Sequence, residues 1–141
     1  PNYVVENASE GLSFELNEDK KSYIVTGIGT CTDTDIIIPS TYNDLPVTSI
    51  GDHTFDECIS ITSIVIPNSV TTIGYRTFYY CTSLESVIFE DGSKLTIIAS
   101  SAFSGCTSLE DISIWGDVKS IEKNQFSDVI YGETPKANNE P

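Results

Sequence analysis

From Val47 onward the apolar and polar positions follow one scheme, written three times in full and a fourth time faintly. Val47-Thr-Ser-Ile50-Gly-Asp-His-Thr-Phe55-Asp-Glu-Cys58 returns as Val70-Thr-Thr-Ile73-Gly-Tyr-Arg-Thr-Phe78-Tyr-Tyr-Cys81. It returns again as Leu95-Thr-Ile-Ile98-Ala-Ser-Ser-Ala-Phe103-Ser-Gly-Cys106, and the faint copy runs from Val118 through Ile121 to Phe126. The four phenylalanines Phe55, Phe78, Phe103 and Phe126 are 23, 25 and 23 positions apart. A fixed period of this size marks a solenoid. No single coil of such a fold can bury its own apolar set, so the core is completed by stacking neighbours.

Within each period a strand comes first. Ile61-x-x-Ile64-x-Ile66, Leu84-x-x-Val87-x-Phe89 and Leu109-x-x-Ile112-x-Ile114 share one pattern, and Ile36-Ile-Ile38-Pro39 opens the array. Positions two apart on a strand point to the same side. Ile64 and Ile66 therefore face inward, while Ile37, Val65, Ile88 and Ser113 face outward. After a turn, Val70 and Ile73 return to the core from the opposite side. Phe78 and Cys81 then fill the interior from a short helical or 3₁₀ turn. Gly51 and Gly74, each directly after the core Ile, are expected to permit a bend. Cys58, Cys81 and Cys106 hold one repeat position and predict a ladder of buried thiols, since side-by-side Cβ vectors suit a bridge poorly. A Cys31–Cys58 bridge is the one pairing left open.

The flanks break the period. Leu12-Ser-Phe14-Glu-Leu16 alternates, Asn17 to Lys20 forms a turn, and Tyr23-Ile-Val25 resumes β-type residues. Residues 12–29 are thus expected to form a β-hairpin that covers the apolar end of the first coil. Residues 1–11 read as a loosely held, flexible lead-in. The seven residues between Pro39 and Val47 are an insertion, which maps to a loop at one edge of the stack. In the fourth copy Trp115 stands where Pro67 stands and Val129 replaces the Cys, so the array over 30–131 ends in a degraded cap. Residues 132–141 read as a polar tail or linker.

The formal net charge of -14 argues against binding the phosphates of DNA or RNA, which needs clustered Lys and Arg, so no nucleic acid partner is expected, and it disfavours anionic lipid surfaces. No apolar run approaches the length of a membrane span, so no membrane insertion is expected. The chain opens on Pro1 and holds no Met. Its natural start is therefore expected to lie elsewhere, as in a cleaved secretory protein or a piece of a longer one.

Candidate chemistry is sparse. The one histidine, His53, shares its repeat position with Arg76, Ser101 and Asn124, which marks an outward, tolerant site. Cys58 belongs to the inward ladder, so the two do not read as a nucleophile and base. Asp33-Thr-Asp35 lacks a calcium ligand set, and without C-x-x-C there is no zinc signature. No catalytic residue, metal or cofactor is expected. Binding is the remaining reading. The outward row Ile37, Val65, Ile88 and Ser113, flanked by Ser63, Ser86 and Asp111, is an apolar strip of the kind that marks contact surfaces, although β-branched neighbours also serve simply to stabilise a sheet. Tyr75, Tyr79, Tyr80 and Trp115 are the aromatic candidates, since Tyr and Trp dominate interface hot spots. Four strands spaced about 4.8 Å apart give a face of a few hundred Å². That is below the roughly 800 Å² per partner of a standard interface, so contact through it is expected to be weak or multivalent.

Written out, the unit is Leu-x-x-Ile-x-Ile-Pro-x-x-Val-Thr-x-Ile-Gly-x-x-x-Phe-x-x-Cys, carried by Ile61 to Cys81 with looser copies from Leu84 to Cys106 and Leu109 to Phe126. It closely resembles the BspA-like leucine-rich repeats over about residues 30–127. The resemblance implies a β-rich leucine-rich repeat solenoid of about four stacked coils, with a parallel concave sheet, short helical or 3₁₀ turns and an N-terminal β-hairpin cap. It further implies a secreted or cell-surface protein and a non-catalytic role in adhesion or protein binding. The partner would be a protein of a host surface, a neighbouring cell or the matrix. A structural spacer or display module, or an accessory segment of a secreted enzyme, are the alternative readings.

Overall fold

The chain winds through two parallel sheets, giving one strand to each per turn. The computed structural model describes residues 7–109, with the backbone alone of 111–113 and 120–121. In chain order the strands are β1 (Ser13–Leu16), β2 (Tyr23–Gly27), β3 (Asp35–Ile37), β4 (Thr41–Tyr42), β5 (Leu45–Ile50) and β6 (Ser63–Ile66). They continue as β7 (Thr72–Ile73), β8 (Ser86–Phe89), β9 (Ile97–Ile98), β10 (Asp111–Ser113) and β11 (Ser120–Ile121). One sheet has the order β10-β8-β6-β3. The other runs β1-β2-β5-β7-β9-β11, with β4 paired onto β5. The described residues hold three complete windings, and β10 and β11 add strand backbone of a fourth. Ile114, Trp115, Phe126 and Val129 lie outside the described residues, as does the stretch 132–141.

Register follows the repeat. Ile36 pairs with Ile64 and Ile64 with Val87 across one sheet, and Val25, Ile50, Ile73 and Ile98 align across the other. All seven are buried. Between the sheets the rings of Phe55, Phe78 and Phe103 are stacked, with centroids 5.5 and 5.1 Å apart and planes within 13° of parallel. Like positions in successive windings thus lie one over the next.

The third wall differs from expectation. The described residues contain no helix, and the segment holding each Phe is a run of turns hydrogen-bonded to the next winding. The N–H groups of His53, Phe55 and Glu57 donate to the carbonyls of Tyr75, Thr77 and Tyr79 at 2.9, 2.8 and 2.6 Å. Arg76, Phe78 and Tyr80 donate likewise to Ser100, Ala102 and Ser104 at 3.2, 2.8 and 2.8 Å. A helix would have closed such groups within its own segment. Here left-handed residues recur four apart in each winding, at His53 and Glu57, at Arg76 and Tyr80, and at Ser101 and Gly105. They keep alternate amides aimed along the stack. Thr54 and Thr77 are buried beneath this wall. The Thr54 hydroxyl lies 2.7 Å from its own Gly51 carbonyl and 3.0 Å from that of Val25 in the cap, and Thr77 repeats the arrangement with Gly74 and Gly51.

Gly51 and Gly74 do not serve as left-handed bends, because neither has positive φ. The reason for glycine is close approach. A Cβ at Gly74 would stand 2.5 Å from Asp52 Oδ1 and 2.6 Å from Asp52 N.

The cap hairpin extends the second sheet, since β1 pairs antiparallel with β2 and β2 lies parallel to β5. Tyr42 of the insertion fastens it to the first winding, stacked on Phe14 at 4.0 Å and edge-on to Tyr23 at 5.0 Å. Within the expected loose lead-in, Ser9 is buried and closes the free edge of β3. Its N–H donates to the Ile37 carbonyl and its Oγ accepts from the Ile37 N–H, both at 2.8 Å. An unpaired strand edge is a template for unwanted pairing, and one serine satisfies both exposed groups.

All four cysteines are free, so Cys31 and Cys58 are not bridged. Cys81 and Cys106 are buried, and each thiol donates at 3.0 Å to the carbonyl of the Phe in the preceding winding, Phe55 and Phe78 respectively. Burial pushes the Cys106 thiol up to about 12 from the ordinary 9.0, and burial also raises Cys81 strongly. An acid whose folded pKa exceeds its unfolded one stabilises the fold fully below the unfolded value and loses that contribution as pH climbs. We predict that the melting temperature falls between pH 9 and about 12, with a shallower fall in a Cys81→Ala, Cys106→Ala double variant. Equal slopes for the two proteins would contradict the assignment. Cys58 is only half-buried and does not join the buried row expected of it, so iodoacetamide should label Cys31 and Cys58 in the native chain before Cys81 or Cys106.

Candidate protein-binding faces

The outward positions of β3, β6 and β8 fall in register. Ile37 pairs with Val65 and Val65 with Ile88, and the backbone of Ser113 continues the row beside Ile88. Ile37 and Val65 are half-buried between their neighbours, whereas Ile88 is 45% exposed. Two residues toward the strand starts a polar row runs parallel, through Asp35, Ser63, Ser86 and Asp111. The Asp35 carboxylate accepts from the Ser63 and Thr62 hydroxyls, both at 2.8 Å, and these bonds hold its pKa below the usual carboxylate value. The sheet therefore presents an apolar stripe beside a hydroxyl and carboxylate stripe.

Tyr75, Tyr79 and Tyr80 stand elsewhere, on the turn wall. Tyr75 and Tyr80 are 39% and 47% exposed, while Tyr79 is half-buried. The Tyr80 ring lies over Gly105, where an added Cβ would come within 2.6 Å of its Cδ1. Tyr79 and Tyr80 meet edge to face at 4.5 Å. Sequence reasoning missed Arg76, whose guanidinium sits 4.1 Å from the Tyr79 centroid and 5.4 Å from that of Tyr75. Its Nε is buried with no hydrogen-bond partner, so the ring faces hold this cation. The eight candidates thus divide between two walls, with Trp115 outside the described residues and only the backbone of Ser113 described. Ile97, 42% exposed on β9, and Tyr42 are exposed apolar positions not singled out from the sequence. The insertion that breaks the period was the available signal for Tyr42.

Nothing on these faces resembles an activated nucleophile. His53 is exposed and its Nδ1 lies 2.7 Å from Asp56 Oδ2. Cys58 is half-buried, and burial followed by the Asp56 charge pushes its thiol up, the opposite of what thiolate chemistry needs. Among the described residues no group of three His, Cys, Asp or Glu side chains is placed to hold a metal ion, and no helix is long and apolar enough to cross a membrane.

Comparison with known structures agrees with the winding seen here. A leucine-rich repeat protein from Bacteroides capillosus superposes with a TM-score of 0.76 at 29% identity, over 86% of this chain and 91% of that one. One from T. pallidum gives 0.68 at 29% identity, over 77% of this chain and 50% of that one. A leucine rich cell surface protein from Faecalibacterium prausnitzii gives 0.65 at 36% identity, over 74% of this chain and 29% of that one. The chain therefore spans half or less of the latter two. No curated protein matches. The model of the BspA type leucine rich repeat region matches residues 29–134 in six copies, three-quarters of the sequence. With the stacked phenylalanines and in-register sheets already described, that match makes the chain a member of the BspA-type leucine-rich repeat family.

Proposed function

We propose that the chain is a non-catalytic adhesion or protein-binding module of a secreted or cell-surface protein. Repeats of this family are typical of protein-binding or scaffold modules. The observation that carries the reading is the in-register outward row Ile37, Val65 and Ile88, with Ile88 left 45% exposed beside a hydrophilic stripe. A single copy of so small a face binds weakly, and many copies together gain avidity through effective concentration. The partner is a protein on a host surface, a neighbouring cell or the matrix. The cell-surface description of the F. prausnitzii relative supports that location.

The test is attachment of beads carrying many copies of the chain to cells or to protein-coated surfaces, with the soluble monomer as comparison. Beads should attach, attachment should vanish when the target surface is treated with protease, and Ile88→Asp should lower it at least fivefold. Equal attachment by beads bearing Ile88→Asp, Tyr75→Ala and Tyr80→Ala together would reject both walls as contact surfaces. It would leave the reading of a structural spacer or display module.

A further inference from the structure

The chemistry of the sheet face narrows what can lie on it. No Lys or Arg occurs in β3, β6, β8 or β10, whereas Asp35 and Asp111 occupy strand starts and Glu85 and Glu90 bracket β8. Asp35 and Glu85 are exposed. A second copy of the chain would bring carboxylates against carboxylates, at a net charge of -14 on each side, and like charges placed face to face oppose association. The fitting partner carries cations beside an apolar stripe.

Spacing decides the partner's secondary structure. The row from Ile37 to Ser113 takes three steps between neighbouring strands, about 14 Å in all. The apolar stripe of an α-helix repeats about once per turn, and three turns cover about 16 Å. An extended strand laid along the row repeats its same-side residues every two positions and would need about 20 Å for three steps. A helix stays nearly in step with the row, while a strand slips by more than one position.

Building on the reading of this face as the protein-binding one, we propose that it receives a cationic amphipathic helix of a partner protein. The helix lies across the strands, its apolar stripe on Ile37, Val65 and Ile88 and its Lys or Arg side chains toward Asp35 and Glu85. About three turns engage, so the contact is weak for one chain and falls with added salt as the exposed charge pairs are screened.

The probes are three fluorescently labelled 18-residue peptides, titrated into the full chain and read by anisotropy. The first has Leu at i, i+3, i+4 and i+7 spacing and Lys elsewhere. The second has the same composition with Leu distributed around the helix, and the third carries Glu in place of Lys. The first should bind saturably and at least fivefold more tightly than the second. Ile88→Asp should weaken it at least fivefold, and Ile97→Asp on the opposite sheet should not weaken it. This pair of variants separates docking from bulk attraction, because an added carboxylate strengthens a purely electrostatic complex. Ile88→Asn, with no change of charge, should weaken binding as well, and unchanged melting of the Ile88 variants shows that the fold is intact.

Tighter binding by Ile88→Asp, or equal binding of the first two peptides, overturns the proposal. Ile88-dependent binding of the Glu peptide overturns the charge assignment while the protein-binding reading stands. If no peptide binds but beads still attach through Ile88, the helix is wrong and the face is right. Loss of both results removes the two together.

Discussion

Phe78→Ala is expected to lower stability by about 3–5 kcal/mol, the usual penalty for emptying a buried aromatic site. The value belongs at the upper end because Phe78 is the middle of the three rings described. It lies 5.5 Å from Phe55 on one side and 5.1 Å from Phe103 on the other, so one truncation strips a partner from each neighbour. Solenoid stability is close to a sum of intrinsic and nearest-neighbour terms. Weakening both interfaces of the central winding should therefore also reduce cooperativity. Urea unfolding followed by circular dichroism should show a lower midpoint and a broader transition than wild type. An unchanged midpoint would mean that the stacked rings do not form the spine of the fold.

The second large effect is expected at Gly74. An added Cβ meets Asp52 N at 2.6 Å and the Gly51 carbonyl carbon at 2.8 Å, and backbone atoms cannot rotate aside. It also meets Asp52 Oδ1 at 2.5 Å, the atom that accepts from the Tyr75 N–H at 2.8 Å. Gly74→Ala should thus separate the first two windings and strain that bond, costing about 1–3 kcal/mol as other overpacking does, with Gly74→Val worse. Gly92→Ala is the control. Gly92 has a left-handed backbone, yet its added Cβ would meet only Asn68 Nδ2, at 3.8 Å, so strain of roughly 1–2 kcal/mol is all it should show. The equivalent of Gly74 in the third winding is Ala99, so repeat position alone does not demand glycine. A Gly74→Ala protein as stable as wild type would show that the windings have room to part.

The inward rows were legible because strand alternation and a fixed period act together. Once Phe55, Phe78 and Phe103 recur in step, the stack and the register of Ile50, Ile73 and Ile98 follow. The turn wall was not legible. Five of its six left-handed residues, His53, Glu57, Arg76, Tyr80 and Ser101, are not glycine, so residue type hardly announced that the segment would bond along the stack instead of coiling. Only Gly105 at the sixth such position hinted at it. The candidate faces were half legible. Alternation placed Ile37, Val65 and Ile88 together, but nothing local could assign Tyr75 and Tyr80 to a different wall or seat Arg76 on the Tyr79 ring. Ser9 on Ile37 was invisible for a simpler reason, since one polar residue 28 positions away carries no periodic signal.

The Cys81 and Cys106 thiols each end on a main-chain carbonyl, and no sulfur–sulfur bond ties one winding to another. The spine can therefore assemble identically in a reducing cytosol and in an oxidising exterior. Forming the spine would require no disulfide oxidase, and only the half-buried Cys31 and Cys58 would register the redox state of the compartments crossed.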